Sequence, residues 1–384
     1  MLLLATIYLL GCTTYVLAEC PINDRKSYFN EQLRLHNTLF KDYVPKLPAI
    51  AMQEPNSTAD NGNFPRFEVL LTLVYMKLIQ MVEPEQKVEF LFEYSMKWRD
   101  ERLEWNPEDY CGLDNIYVSR LDVWIPDITI VDAHSSADYR DDYNKFVHIS
   151  SIHNIYPDEP TVCALDVQNF PFDRQECAIN MMSQLYSMRE YGIKLAFAPA
   201  LLNNKTAFDN MGNEEWRIKN VTTMRVHHDI GYEDPVEISS FVILMKRSPS
   251  FYITMIITPS FVINILSIFG VFLKSADSMG KLGMALTNIM SLTFILGILA
   301  TALPKTKGLP KIAIYIMGNL LIMVFALTTT LVLPYVKRFL SGLGESSTAS
   351  SKRKLESKLH RLAEYALFVL FEIANLVNFI VLIT

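Results

Sequence analysis

Four runs late in the chain have almost no polar interruption: Phe251 to Leu273, Leu282 to Leu303, Ile312 to Tyr335 and Leu362 to Thr384. Each is about 22 residues, and as a helix it rises about 33 Å, close to a hydrocarbon core of about 30 Å. The charges inside them are Glu364 and Glu372, both in the fourth run. Four runs of spanning length predict an all-α, four-helix transmembrane domain rather than the buried helices of a large soluble core.

Upstream of residue 250 the period shortens to two. In KVEFLFEYSMKW, residues 87 to 98, Val88, Phe90, Phe92, Tyr94, Met96 and Trp98 fall on one face, opposite Glu89, Glu93, Ser95 and Lys97. That alternation predicts a strand with one buried face. Further short runs, Ser239 to Lys246 among them, are separated by Pro, Gly, Asn and Asp, which predicts an all-β, immunoglobulin-like antiparallel sandwich. Ahead of it, Asp24 to Tyr43 mixes Tyr28, Leu33, Leu35, Leu39 and Phe40 with charges, predicting an amphipathic N-terminal helix. Ser346 to Ser351 is the one low-complexity stretch and reads as a linker; no internal repeat appears.

The amino terminus sets the compartment. Residues 2 to 17 are apolar and lead to Val16-Leu17-Ala18, so residues 1 to 18 read as a signal peptide cleaved after Ala18. Residues 19 to 250 then form an extracellular domain and 251 to 384 a four-span domain, in a multi-pass protein of the plasma membrane with its amino terminus outside. The short cytoplasmic loop, 341 to 360, is flanked or occupied by Lys337, Arg338, Lys352, Arg353, Lys354, Lys358 and Arg361, as the positive-inside tendency requires. Lys305, Lys307 and Lys311 fall outside and are outnumbered. Sequons at Asn56, Asn204 and Asn220 all lie in the exterior, with chance matches as the alternative.

Cys12 leaves with the signal peptide, so the mature chain keeps Cys20, Cys111, Cys163 and Cys177. Four cysteines allow three pairings, and the short spacing favours Cys163 with Cys177, a crosslink worth roughly 3 kcal/mol on loop-closure grounds. Cys20 and Cys111 are left for each other or free.

Composition excludes other classes. No metal-ligand spacing, nucleophile elbow or phosphate loop stands out among the 384 residues, and a net charge of -6 gives no nucleic-acid footprint. The chain reads as neither an enzyme nor a cofactor protein.

The order of parts, together with WRDERLEWNPEDY (98 to 110), WIPDI (124 to 128), the FPFD of the cysteine loop and Pro259 in the first span, resembles the Cys-loop receptors, pentameric ligand-gated ion channels. The likeness is greatest to the nicotinic acetylcholine receptor branch. The resemblance implies four other subunits, a small-molecule extracellular ligand, a lipid bilayer and a synaptic setting. It implies a Cys20–Cys111 pairing at the outer apex. It implies that Phe170, Pro171, Phe172 and Asp173 of the loop meet Glu83 and Arg247 at the base of the exterior domain, coupling ligand to pore. It also makes the second span the pore wall, with Gly283, Thr287, Met290, Phe294, Ile298 and Thr301 facing the axis, Asn288 and Ser291 beside them, and Met290 and Phe294 as a hydrophobic constriction.

Departures from that pattern are informative. Gly280 stands where the branch has a selectivity glutamate, Asp277 remains nearby, and Thr301 replaces an outer acid. The segment from Pro259 to Lys281 is one residue longer, as in anion-conducting members, yet their Pro-Ala-Arg signature is missing. Cation conduction is the expectation and anion conduction the alternative. The aromatic ligand-loop positions fall on Val131, Gln184, Val236 and Glu93, which offer no ring face to a cation. His227 and His228, followed by Asp229, Tyr232, Glu233 and Asp234, are the candidates for proton or metal sensing, against the plainer reading of a solvated loop. An accessory or assembly subunit that binds no transmitter is therefore a further alternative.

Overall fold

A computed structural model describes residues 24–52, 66–131, 145–150, 161–163, 165–203, 207–228, 236–272, 278–304, 308–343 and 350–383. The signal-peptide stretch, Cys20, Asn56, Asn204, Asp229, Tyr232, Glu233, Asp234, Asp277, Lys305 and Lys307 lie outside these residues.

Helix α1, Arg25–Phe40, opens with a capping box: the Asp24 carboxylate accepts from the Ser27 N–H at 2.8 Å, and Ser27 Oγ accepts from the Asp24 N–H. The amphipathic face is narrower than the pattern suggests. Leu35 is fully buried and Leu39 and Phe40 pack on the core, but Tyr28 and Leu33 face solvent.

The strands follow in order: β1 (Phe67–Val82), β2 (Lys87–Lys97), β3 (Asn115–Ser119), β4 (Thr129–Ile130), β5 (Phe146–Ser150), β6 (Thr161–Val162), β7 (Arg174–Met182), β8 (Tyr191–Phe197), β9 (Trp216–His228) and β10 (Val236–Arg247). Short helices α2 (Pro199–Asn203) and α3 (Ala207–Met211) sit between β8 and β9. One sheet runs β6-β2-β1-β8, a second runs β4-β7-β10-β9, and β3 pairs with β5. Among the described residues all pairings are antiparallel except β1 with β8.

Val88, Phe90, Phe92, Tyr94, Met96 and Trp98 are all buried, as the period-two pattern requires. Strand β1 changes phase along its length: Val69, Leu71 and Leu73 are buried, then Met76 and Leu78. Register shifts against β2 at Leu73/Tyr75 and Leu78/Gln80 absorb the change, and they leave Tyr75 and Ile79 exposed.

After β10 the chain turns helical. Helix α4 (Ser250–Tyr252) passes through a π turn at Ile253–Ile257 into α5 (Thr258–Phe272). Pro259 explains the wide turn, because proline lacks the N–H that regular spacing would use and its ring crowds the preceding turn. Helices α6 (Ser278–Ala302), α7 (Lys311–Leu343) and α8 (Ser350–Ile383) complete the bundle. Among the described residues, four segments are long and apolar enough to cross a membrane: Ser250–Phe272, Met279–Ala302, Lys311–Val336 and Arg361–Ile383.

Two sequence expectations need correction here. Residues 350 to 360, assigned to the cytoplasmic loop and partly to a linker, continue α8 toward its start, and 341 to 343 complete α7. Lys, Arg, Leu and Glu dominate 352 to 359, with no Gly or Pro to stop a helix. Asn288 is 2% exposed and points into the bundle instead of flanking an outward stripe. Its Nδ2 lies 3.5 Å from Asn264 Oδ1, and Asn264 donates to Asn375 at 2.9 Å, because an amide among apolar helices is stabilised by another amide. Asn378 likewise donates to Asn319 and to the Tyr315 carbonyl, both at 2.8 Å, over Gly318, where any Cβ would collide with the Asn378 amide.

Candidate functional site

The cysteine loop leaves β6 and returns into β7, closed by the Cys163–Cys177 disulfide with Cα atoms 5.5 Å apart. Its interior is buried, with Val167, Phe170, Asp173 and Gln175 all at 2% exposure or less. Pro171 is buried and Phe172 half-buried. The loop reaches the helices directly: Lys311 N–H, at the start of α7, donates to the Gln168 carbonyl at 2.9 Å, and Phe170 meets the Tyr252 ring edge-on at 4.6 Å.

Arg247, the last residue of β10, is 1% exposed and sits behind that loop. Its Nε donates to Asp173 Oδ1 at 2.9 Å and its Nη1 to Glu83 Oε1 at 2.8 Å. Glu83, Asp173 and Arg247, far apart in the chain, thus meet at the base of the sandwich. Glu83 opens the turn between β1 and β2, which abuts α6.

The sequence reading missed the rest of this joint. Nη1 also pairs with Glu215, whose carboxylate accepts from Tyr252 Oη at 2.8 Å. The guanidinium lies over the rings of Trp216 at 4.1 Å and Phe170 at 4.7 Å. Burial by itself would lower the Arg247 pKa, but the hydrogen bonds and charges of Asp173 and Glu83 outweigh it, so the pKa rises and the cation is held. One buried cation against three carboxylates is tolerated because Glu83 and Glu215 keep 15% and 40% of their side chains in water. Glu215 carried no signal beyond being one acid of a Glu-Glu-Trp run, and Tyr252 looked like part of an apolar span.

On α6 the expected stripe is distinct. Gly283, Thr287, Met290, Phe294, Ile298 and Thr301 are all exposed in the single chain, with Met290 at 75% and Phe294 at 70%. The opposite side, Ala285, Asn288, Leu292 and Leu299, is buried against the other helices. Lower on the stripe Thr287 Oγ1 donates to the Gly283 carbonyl, so its hydroxyl is satisfied within the helix.

The ligand-loop positions lie at the other end of the sandwich. Val131 and Gln184 are exposed, Val236 is half-buried, and Glu93 faces out of β2 beside Tyr75. The loop carrying Gln184 is held by Asp127 of WIPDI, whose Oδ2 accepts from Ser183 Oγ and the Gln184 N–H at 2.8 Å each. Near it Tyr186 stacks on Tyr191 at 5.4 Å and Tyr191 on Phe67 at 5.9 Å, an aromatic row the positional counting did not reach. Burial, then the Asp127 charge, raises the Tyr191 pKa. His227 is exposed with Nδ1 at 3.8 Å from Glu237, a buried carboxylate that also pairs with Arg66. His228 pairs through its backbone with Val236; its side chain lies outside the description. Asn220 is exposed on β9. At the apex, Arg34 of α1 donates to the Asp109 carbonyl at 2.6 Å and lies over the Tyr110 ring, which places α1 beside Cys111. Cys20 itself lies outside the described residues.

The family model of the neurotransmitter-gated ion-channel ligand binding domain matches residues 32 to 249, more than half of the chain. The 5-hydroxytryptamine receptor 3A of Rattus norvegicus is 28% identical over 269 residues, 68% of this chain and 55% of the relative. The acetylcholine receptor subunit epsilon of Homo sapiens is 27% identical over 317 residues, covering 79% and 61%. The neuronal acetylcholine receptor subunit non-alpha-3 of Carassius auratus is 30% identical over 267 residues, covering 67% and 55%. The chain thus spans little more than half the length of these relatives. With a matching ligand-binding-type sandwich, a closed cysteine loop at its base and four apolar helices beyond it, the chain belongs to the neurotransmitter-gated ion-channel family and is a multi-pass Cys-loop receptor subunit.

Proposed function

We propose that the chain is one of five subunits around a cation-conducting pore at the plasma membrane, opened by a small extracellular ligand, with residues 19 to 250 outside. The observation that carries this reading is the two-faced α6. Its inner side is packed, while Met290, Phe294 and the polar positions below them have no cover in a single chain. A ring of copies gives such a stripe a shared axis, with Thr287 low, the large apolar Met290, Phe294 and Ile298 above it and Thr301 at the far end. The Arg247 joint lies between the sandwich and α6, so a shift of the β1–β2 turn is passed to the pore helix.

Expression of the chain alone in oocytes, with transmitters, pH steps and ion replacement under voltage clamp, tests this. A ligand-evoked current reversing with the cation gradient supports it; a current reversing with chloride overturns cation selectivity. With surface expression confirmed, Phe294→Ser is expected to wet the constriction and raise the resting leak, and an unchanged leak removes Phe294 from the gate.

A second reading has its own support. Val131, Gln184, Val236 and Glu93 present no aromatic face where a cationic transmitter needs one. Current that appears only with partner subunits assigns this chain an accessory place in a hetero-pentamer. Altered surface delivery of partners with permeation unchanged assigns it to assembly.

A further inference from the structure

We propose that the middle of the four-helix bundle holds an internal water-binding site, built by Asn264 of α5, Asn288 of α6, and Glu372 and Asn375 of α8. Phe368, Glu372, Asn375, Phe379 and Leu382 follow one row of α8 at spacings of three and four. That row faces α5: Phe368 meets Phe269 edge-on at 5.7 Å, Phe379 stacks on Phe261 at 4.5 Å, and Asn375 accepts from Asn264 at 2.9 Å. Glu372 therefore turns inward, eleven residues from either end of the spanning segment Arg361–Ile383. The other charged residues of the four spanning segments, Lys281, Lys311, Arg361 and Glu364, all lie within three residues of a segment's end. No countercharge stands on those segments at the depth of Glu372.

Three polar atoms of this cluster are shielded from solvent and find no hydrogen-bond partner among the described residues: Glu372 Oε1, Asn288 Oδ1 and Asn375 Nδ2. Asn264 and Asn375 are fully buried and Asn288 nearly so, and an unmet polar atom is costly among apolar helices. The balance of donors and acceptors selects the occupant. Two of the three atoms are oxygens and the third is an amide N–H donor. Water donates twice and accepts as well, and it serves the carboxyl oxygen whether or not that oxygen carries a proton. A bare cation would leave the Asn375 amide unmet, and an anion would face two oxygens. Asn288 stands next to Thr287 of the outward stripe, so the water ties α6 to α8. That α6 is the pore wall rests on the function proposed above; the site itself does not.

The test is X-ray hydroxyl-radical labelling of the purified full-length chain in lipid nanodiscs, in heavy-oxygen water, read by mass spectrometry. Radiolysis of a bound water makes a hydroxyl radical in place, and the radical adds its oxygen to the side chains beside it. Ile268 and Leu292, each one helical turn from an amide of the cluster and buried from solvent, are expected to carry the label. Glu372→Leu removes the carboxyl and should bring that label down to background. Glu372→Gln keeps an accepting oxygen there and should keep the label. Ile268 and Leu292 without label in the unmodified chain overturn the proposal, and that arm needs no variant to fold. Label that persists in Glu372→Leu overturns it too, because water then reaches the bundle without this carboxyl. Label lost in Glu372→Gln overturns the donor–acceptor account of the site. No current is measured, so a failure here leaves the channel reading standing.

Discussion

The two ends of the sandwich bury charge in opposite ways. At the base, the Arg247 cation is sealed: its side chain is fully excluded from water, three carboxylates meet its N–H groups, and two rings cover its faces. At the far end it is the carboxylate of Glu237 that is buried. Its partners Arg66 and Arg225 keep 26% and 42% of their side chains in water, and Glu237 Oε2 lacks a hydrogen bond. A sealed pair transmits force, because separating its members leaves a charge in a low-dielectric site. A half-open pair yields more readily, because a withdrawing arginine is taken up by water, although the buried Glu237 carboxylate is not. The sandwich thus holds its buried charge with more hydrogen bonds where it touches the helices than where β9 and β10 meet β8.

That contrast is best broken at Arg247. Arg247→Glu places a fourth acid among three and is expected to cost roughly 3 to 5 kcal/mol, seen as lost thermal stability in detergent and lost surface delivery. Adding Glu83→Arg should recover part of the loss, giving a coupling above about 0.5 kcal/mol. Plain additivity of the two substitutions would mean the contact transmits nothing.

Glu237→Gln should be milder, at about 1 to 3 kcal/mol, because the two arginines it leaves behind still reach solvent. A melting-temperature loss as large as that of Arg247→Glu would erase the distinction between sealed and yielding ends.

The smallest effect sharpens the account of the base. Tyr252→Phe keeps the ring against Phe170 and removes the hydroxyl that Glu215 accepts from, so about 1 kcal/mol is expected. Since Glu215 is partly exposed, water replaces the hydroxyl. A loss of several kcal/mol would show that Glu215 is held by Tyr252 and is not merely assisted by it.

Much of the architecture was legible in the residues themselves. The period-two face of residues 87 to 98, the four apolar runs and the short cysteine spacing are local patterns, and local patterns survive without knowledge of the fold. The convergence of Glu83, Asp173 and Arg247 was expected only through the family resemblance. No periodicity in the chain links residues 83, 173 and 247.

What the tertiary structure alone decided has a common physical cause. Glu215, Trp216 and Tyr252 join the Arg247 joint because β9 and β10 bring Trp216 opposite Arg247, and that register is a property of the paired strands. Asn288 turned inward because an amide in an apolar bundle is stabilised by Asn264 on a neighbouring helix. The phase change in β1 needed β2 beside it before a bulge had any meaning. A sequence by itself determines which side chains prefer burial and at what period. Which charge meets which depends on long-range register, where several pairings satisfy the same local pattern and only packing separates them.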